Sequence, residues 1–300
     1  MTEKNNTLAL LFASAVLVLW ASVATAFKIA LDFLRPFELL FLSTLFSFLA
    51  LSLIMFTGKR YRRLRQVSGK HLRILILAGV LNPVLYYGIL FKAYDMLPAQ
   101  FAQAVNFTWP LVMALVAMLL KQERFHILRL AALCVSFGGV LILVLGGRNF
   151  PGGISMPGIL LAFSTTFIWT FYWLSAKSID VDPVISLWVP FATGAVLLSF
   201  AAAFFFRPET LRIEGFASAA YVGLFEMSIT FLLWLNALRR STSTTLVGNF
   251  IYAVPFLSLV FIRYILHEPI QPTTLIGLVL ISAGIVVQVF IHRGVPGEPR

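Results

Sequence analysis

Trp109-Pro110-Leu111-Val112-Met113-Ala114-Leu115-Val116-Ala117-Met118-Leu119-Leu120-Lys121-Gln122-Glu123 is answered later in the chain by Val254-Pro255-Phe256-Leu257-Ser258-Leu259-Val260-Phe261-Ile262-Arg263-Tyr264-Ile265-Leu266-His267-Glu268. In both stretches a proline sits within a long apolar segment and a glutamate follows thirteen residues later, just past its end. Trp20 and Lys28 recur in the same way as Trp169 and Lys177, again eight residues apart. One unit is therefore written twice, with five apolar segments in each copy. An odd number of membrane crossings turns the second copy upside down relative to the first, which is the inverted-repeat architecture of secondary transporters.

A mean hydropathy of +0.92, with 60% hydrophobic and 12% charged residues, excludes a soluble domain. Segments long enough to span a hydrocarbon core read as Leu8–Ile29, Pro36–Phe56, Leu72–Ala93, Gln100–Leu120 and Ile127–Leu145 in residues 1–150. In residues 151–300 they read as Met156–Ala176, Pro183–Phe206, Phe216–Leu238, Thr244–Ile265 and Thr273–Ile291. The runs are continuous rather than alternating, so they predict helices and not barrel strands. The expected fold is an all-α integral membrane protein: ten transmembrane helices in a 5+5 inverted repeat, with an N-terminal and a C-terminal five-helix half forming one membrane transport domain.

The net charge of +11 follows membrane topology rather than nucleic acid, because basic residues gather at segment ends and no separate soluble domain carries a binding face. Lys59, Arg60, Arg62, Arg63, Arg65, Lys70 and Arg73 crowd one connection, whose counterpart in the second half has only Arg207 and Arg212. This bias places both termini in the cytoplasm. Leu8–Ile29 is read as a crossing rather than a cleaved leader, since its removal would leave Met156–Ala176 without a counterpart. Cys134 is a small packing residue within an apolar segment. The chain shows no GxxxxGK[ST] loop, HExxH or GxSxG, and its four histidines lie near segment ends. No enzyme activity, metal or cofactor is expected.

Function is sought where polar groups are forced to mid-depth. Glu226 is the only carboxylate near the centre of a segment, and on insertion scales such a group costs around 2.5 to 3.5 kcal/mol. Aligning Gly79 with Gly223 sets Asn82 opposite Glu226. In Asn82-Pro83-Val84-Leu85-Tyr86-Tyr87, helical spacing would put Asn82 and Tyr86 on one face. Asn106 and Trp109 precede Pro110, and Asn249 and Tyr252 precede Pro255, so two kinked helices would meet two polar and aromatic ones. Pro110 and Pro255 are the candidate hinges. Trp20, Trp169 and Trp173 share comparable mid-helix levels, whereas Trp188 and Trp234 read as lipid-facing or interfacial. The fifth and tenth segments, with Gly138, Gly139, Gly277, Ser282 and Gly284, are expected to pack against each other or to form a dimer face.

The repeat, the tryptophan in the first helix of each half and the proline with a charged end in the fourth (Lys121-Gln122-Glu123 and His267-Glu268) make the chain resemble the drug/metabolite transporter superfamily. Within it, residues 5 to 292 look like an EamA-type permease, and the aromatic richness is similar to that of its amino-acid exporters. The resemblance implies a bundle with a central cavity, alternating access, cytoplasmic termini, and Glu123 and Glu268 as caps or loop anchors. Small multidrug transporters of the superfamily carry a carboxylate in their first helix; Leu8–Ile29 has none.

The expectation is a bacterial inner-membrane exporter of neutral and aromatic amino acids with broad specificity, working as a monomer or weak homodimer in the lipid bilayer, with no nucleic-acid partner. Asn82, Asn106 and Asn249 would hold the zwitterionic head group. Tyr86, Trp109, Trp169, Trp173 and Tyr252, with Trp20, would form the side-chain pocket, and Glu226 would take an ammonium group or a proton. A drug or other metabolite exporter on the same scaffold, and a membrane channel, are the competing readings.

Overall fold

The computed structural model describes residues 5–120, 127–147, 150, 153–177, 179, 181–207, 212–242, 247 and 249–294; the side chains at 129, 176, 177, 249 and 288–294 lie outside that description. Every regular element among them is helical. Seven helical stretches have the length and hydropathy to cross a membrane, and three shorter apolar ones, Leu130–Gly146, Phe250–Ile265 and Pro272–Val287, accompany them.

Local chemistry starts these helices where the chain must turn. Asn5 caps α1 (Asn6–Phe33) by accepting from Leu8 N at 2.9 Å, and Pro36 opens α2 (Pro36–Thr57) at a position where a missing N–H costs nothing. A short α3 (Tyr61–Leu64) precedes α4 (Gly69–Gly79), which Ser68 caps through His71 N. The third span then passes through a wide π turn, Val80–Leu85, into α5 (Tyr86–Met96). The fourth is broken as well, into α6 (Ala99–Asn106) and α7 (Trp109–Leu119). After α8 (Ile127–Gly146), α9 (Met156–Lys177) and α10 (Pro183–Phe205), the eighth span is split by a π turn at Val222–Glu226 into α11 (Ile213–Tyr221) and α12 (Ile229–Arg240). The ninth enters by a 3₁₀ turn, Asn249–Ala253, before α13 (Val254–Ile265), and α14 (Pro272–Gly294) closes the chain.

These breaks divide several of the apolar segments read from the sequence into two helices each. Pro110 and Pro255 do not bend a running helix. Each occupies the second position of a new one, where its ring cannot clash with a preceding turn.

Lipid is as apolar as leucine, so close backbone approach and hydrogen bonds must hold the helices together. A Cβ at Gly139 would lie 2.7 Å from Gly277 O, and one at Gly277 2.8 Å from Gly139 O, so α8 and α14 meet backbone to backbone. Of the two expectations for the fifth and tenth segments, mutual packing is what the structure shows. α2 and α10 form a second pair, clipped at both ends. At one end the buried Glu38 accepts from Arg35 and from Arg207 N, while Arg35 donates to Phe205 O. At the other, Asp182 receives Arg60 and Arg63 at 3.0 and 2.9 Å. Burial works against ionisation of Asp182, but Val184 N–H, Arg60 and Arg63 outweigh it and hold the carboxyl below its ordinary range. The remaining spans pack between these pairs, α1 on α11, α12 and α13, and α9 on α5, α6 and α7.

Candidate functional site

The π turn of the third span decides what faces the interior. Asn82 is extended there (φ −141°, ψ 115°), so the helical spacing that would pair it with Tyr86 does not apply. The widened turn also shifts the register of the following helix, and both Tyr86 and Tyr87 are buried. Tyr86 lies on Trp169 with ring centroids 4.5 Å apart and donates to Asn106 Oδ1 at 3.3 Å. Asn106 in turn donates through Nδ2 to Thr165 Oγ1 at 2.9 Å. Tyr87 donates to Glu226 Oε1 at 3.0 Å. Two hydrogen-bonded groups starting from adjacent tyrosines thus join the third span to the fourth and sixth and to the eighth.

Aromatic rings extend the Tyr86 group towards α1. Trp169 meets Tyr172 at 5.5 Å, Trp173 at 5.9 Å and Phe231 at 5.9 Å. Phe231 meets Trp20 at 5.7 Å, and Trp20 meets Trp234 at 5.5 Å. Each such pair contributes roughly 0.5 to 1.5 kcal/mol beyond burial of its area. Through Tyr86, whose ring meets that of Tyr87 at 4.9 Å, the rings connect to the Tyr87–Glu226 bond.

Three polar atoms in this region find no protein partner although they are buried: Glu226 Oε2, Asn82 Oδ1 and Trp173 Nε1. The Asn82 amide lies within hydrogen-bonding reach of Tyr172 on its other side. An unmet buried polar group costs about 1 to 3 kcal/mol, so these two open acceptors and one open donor each mark a position for a ligand or water atom. Glu226, Trp20, Asn106 and Trp173 all keep some accessible surface despite their position among the helices. The arrangement offers a carboxylate, an amide oxygen and an indole N–H beside aromatic faces. Such a set can hold an ammonium group and an apolar ring together.

Of the residues singled out in the sequence, Trp20, Asn82, Tyr86, Asn106, Trp169, Trp173 and Glu226 come together here. Trp109 is half-buried on α7 against the main core, and Tyr252 packs against Leu111, Leu133, Ile281 and Ile285. The side chains of Asn249 and Lys177, and all of Glu123, lie outside the described residues. Glu268 anchors the start of α6, accepting from Ala99 N at 2.9 Å, Gln100 N at 3.2 Å and Gln100 Nε2 at 2.7 Å. Lys28 donates to Tyr94 O and Leu97 O at the end of α5, so it caps a helix rather than reaching for the membrane surface.

Sequence reasoning missed Tyr87, Thr165, Tyr172, Phe231 and Trp234. Trp234 corrects the lipid-facing reading: it is 9% exposed and lies one helical turn beyond Phe231, on the face that α12 turns to α1. Trp188 is half-buried and donates to Ser52 Oγ at 2.8 Å, bridging α10 and α2.

The EamA-like transporter family matches this sequence twice, over residues 7–145 and 156–290. An uncharacterized transporter of Archaeoglobus fulgidus is 29% identical over 94% of this chain and 96% of its own length. The uncharacterized transporter YvbV of Bacillus subtilis is 24% identical over 95% of this chain and 92% of its own. A protein of Escherichia coli named a probable amino-acid metabolite efflux pump is 23% identical over 97% and 96%. A solved crystal structure superposes with a TM-score of 0.65 at 22% identity, covering 96% of this chain and 99% of the other, which shows a shared fold.

Proposed function

Because the chain belongs to the EamA-like transporter family, we propose that it exports neutral and aromatic amino acids across the bacterial inner membrane as a secondary transporter. The observation that carries this reading is the interior group of Glu226 Oε2, Asn82 Oδ1 and Trp173 Nε1, unmet by protein and set beside the Tyr86–Trp169 pair. The ammonium group of an amino acid would take Glu226 and Asn82. Its carboxylate would draw on neutral donors such as the Asn106 amide and the Trp173 indole, and an aromatic side chain would lie on Trp169. The Escherichia coli relative's name supports the same substrate class.

In this reading the chain crosses the membrane ten times as two inverted halves, with both termini cytoplasmic. Substrate enters from the cytoplasm and leaves when the two bundles rock about the starts of α7 and α13, at Pro110 and Pro255. The protein works alone or as a weak homodimer and needs no cofactor.

The test is counterflow in proteoliposomes preloaded with unlabelled phenylalanine, threonine or methionine, following uptake of the same labelled compound without an ion gradient. Accumulation supports the reading; failure with every amino acid removes it. One observation favours a second reading. Among the described residues of the site no lysine or arginine is present to meet a carboxylate, while a carboxylate and many rings suit a lipophilic cation. Exchange of a cationic dye in the same vesicles, without exchange of amino acids, selects a drug exporter.

A further inference from the structure

A cavity of about 380 Å³, lined by none of the aromatic site's residues, lies at one end of the bundle, where α10 begins, α12 ends and the connection between α2 and α4 folds over. Its polar lining comes from Arg63, Gln66, His71, Asp182 and Arg239. The volume falls in the range of small-ligand sites, which start at about 300 Å³.

The charge of this lining does not balance. Among the described residues Asp182 is the only acid in it, and it is already met by Arg60, Arg63 and Val184 N. Two guanidinium groups on one carboxylate leave a positive charge in excess. Arg239 adds another, and among the described residues neither Arg239 nor His71 has an acidic partner. Lys59, Arg62, Arg65, Lys70, Arg73 and Arg240 lie at the same end of the spans and deepen the positive potential. Nothing in the transport reading uses these groups.

The apolar part of the lining names the source of the anion. Val67, Val181 and Ile185 line the cavity and belong to the cluster of Met55, Leu75, Val184 and Val189 inside the spans. The cavity therefore sits where polar surface gives way to the apolar body of the bundle, the depth of a lipid phosphate. Arginine forks match phosphate oxygens, and basic pockets at the cytoplasmic ends of helices suit anionic headgroups.

We propose that this cavity binds the phosphate headgroup of an anionic membrane lipid, separately from the transported substrate. Arg63 and Arg239 would hold the phosphate from two sides, with His71 and Gln66 donating to its remaining oxygens. The site would tie the connection after α2 to α10 and α12, the elements that the Asp182 clip already joins.

Native mass spectrometry of the full-length protein in detergent, with phosphatidylglycerol and phosphatidylethanolamine added together, tests this. One phosphatidylglycerol is expected to remain bound in preference to phosphatidylethanolamine. Arg239→Gln should reduce its retention by about fivefold, the effect of removing one basic group from an anionic lipid, and His71→Gln, which removes a ring N–H donor, should reduce it by a smaller factor. Arg212→Gln, at the opposite end of the same span, should leave it unchanged. Thermal denaturation of each variant separates a lost site from a lost fold. Equal retention by all the proteins, or equal retention of both lipids, would overturn the proposal. So would inorganic phosphate displacing the lipid at millimolar concentration, which would assign the cavity to a soluble anion.

Discussion

The third and eighth spans both open into a π turn, and the Tyr87–Glu226 bond joins them, yet they are built from different materials. The third span uses Pro83, whose missing N–H interrupts the ladder, and it leaves Asn82 Oδ1 without a partner. The eighth has no proline. There Ser228 reaches back to Gly223 O at 2.9 Å and Leu224 O at 3.0 Å, and Thr230 donates to Phe225 O. The two breaks share a shape while dividing the chemistry, an amide on one side and a carboxylate on the other. A site lying between them would read the two ends of a polar head group differently.

That division is broken or sharpened most strongly at the two residues themselves. Replacing Glu226 with alanine removes a charged partner worth up to about 3 kcal/mol, whereas Asn82→Ala removes a neutral one worth about 1 kcal/mol. Initial rates of counterflow should fall by about a hundredfold for the first and about fivefold for the second. Equal losses would mean that the two breaks contribute alike and that the charge of Glu226 is not used on substrate. Phenylethylamine sharpens the point. If Glu226 carries recognition, this amine should inhibit phenylalanine counterflow in the wild type and lose that ability in Glu226→Gln.

The packing behind each break is the next place where the two spans can be compared. A Cβ on Gly79 would fall 2.6 Å from Pro190 O on α10, and one on Gly223 2.4 Å from Ser43 O on α2. Both partners are backbone and cannot swing aside. Gly79→Ala and Gly223→Ala should each destabilise the protein by about 1 to 3 kcal/mol, seen as lower thermal midpoints in detergent. A tolerated alanine at one site only would show that one break is loosely packed where the other is tight.

The sequence revealed the spans and concealed two of the breaks' consequences. Apolar runs placed most helix ends within a few residues, because twenty apolar residues in lipid have few alternatives to a helix. Gly139 and Gly277 foretold the α8–α14 contact through their lack of side chains. Pro110 and Pro255 announced disturbed helices, though as starts rather than bends. The turn at Val222–Glu226 was silent, because serine and threonine are ordinary in such helices and their back-bonds form only with a particular rotamer. Tyr87 was missed because a π turn shifts the helical register after it, which no fixed periodicity anticipates. Trp234 was missed because only the position of α1 tells which face of α12 is inside.

The Ser228 and Thr230 bonds test whether the eighth span needs its side chains as the third needs its proline. Ser228→Ala and Thr230→Val each remove a bond to a carbonyl freed by the π turn, at about 1 kcal/mol. Both should lower thermal stability, and the double variant should reduce transport more than stability alone explains, because Glu226 ends the turn they hold open. Unchanged transport in a folded double variant would mean that the turn persists without them.

The smallest effect is expected at the clips on α2 and α10, where a shared layout again hides a difference. Both acid side chains are buried, but Glu38 pairs with the single Arg35, 48% exposed, while Asp182 pairs with Arg60 and Arg63, whose side chains are 39% and 66% exposed. Solvent weakens the Asp182 pairs to about 1 kcal/mol or less. Its carboxyl is held below the ordinary aspartate range, so its contribution is complete at neutral pH and is lost as the pH falls through that range and below it. Asp182→Asn should therefore lower the thermal midpoint slightly at pH 7 and leave it closer to that of the wild type in strong acid. A cost that does not shrink with acid would show that hydrogen bonding to Val184 N, which asparagine keeps only through its neutral oxygen, outweighs the ion pairs.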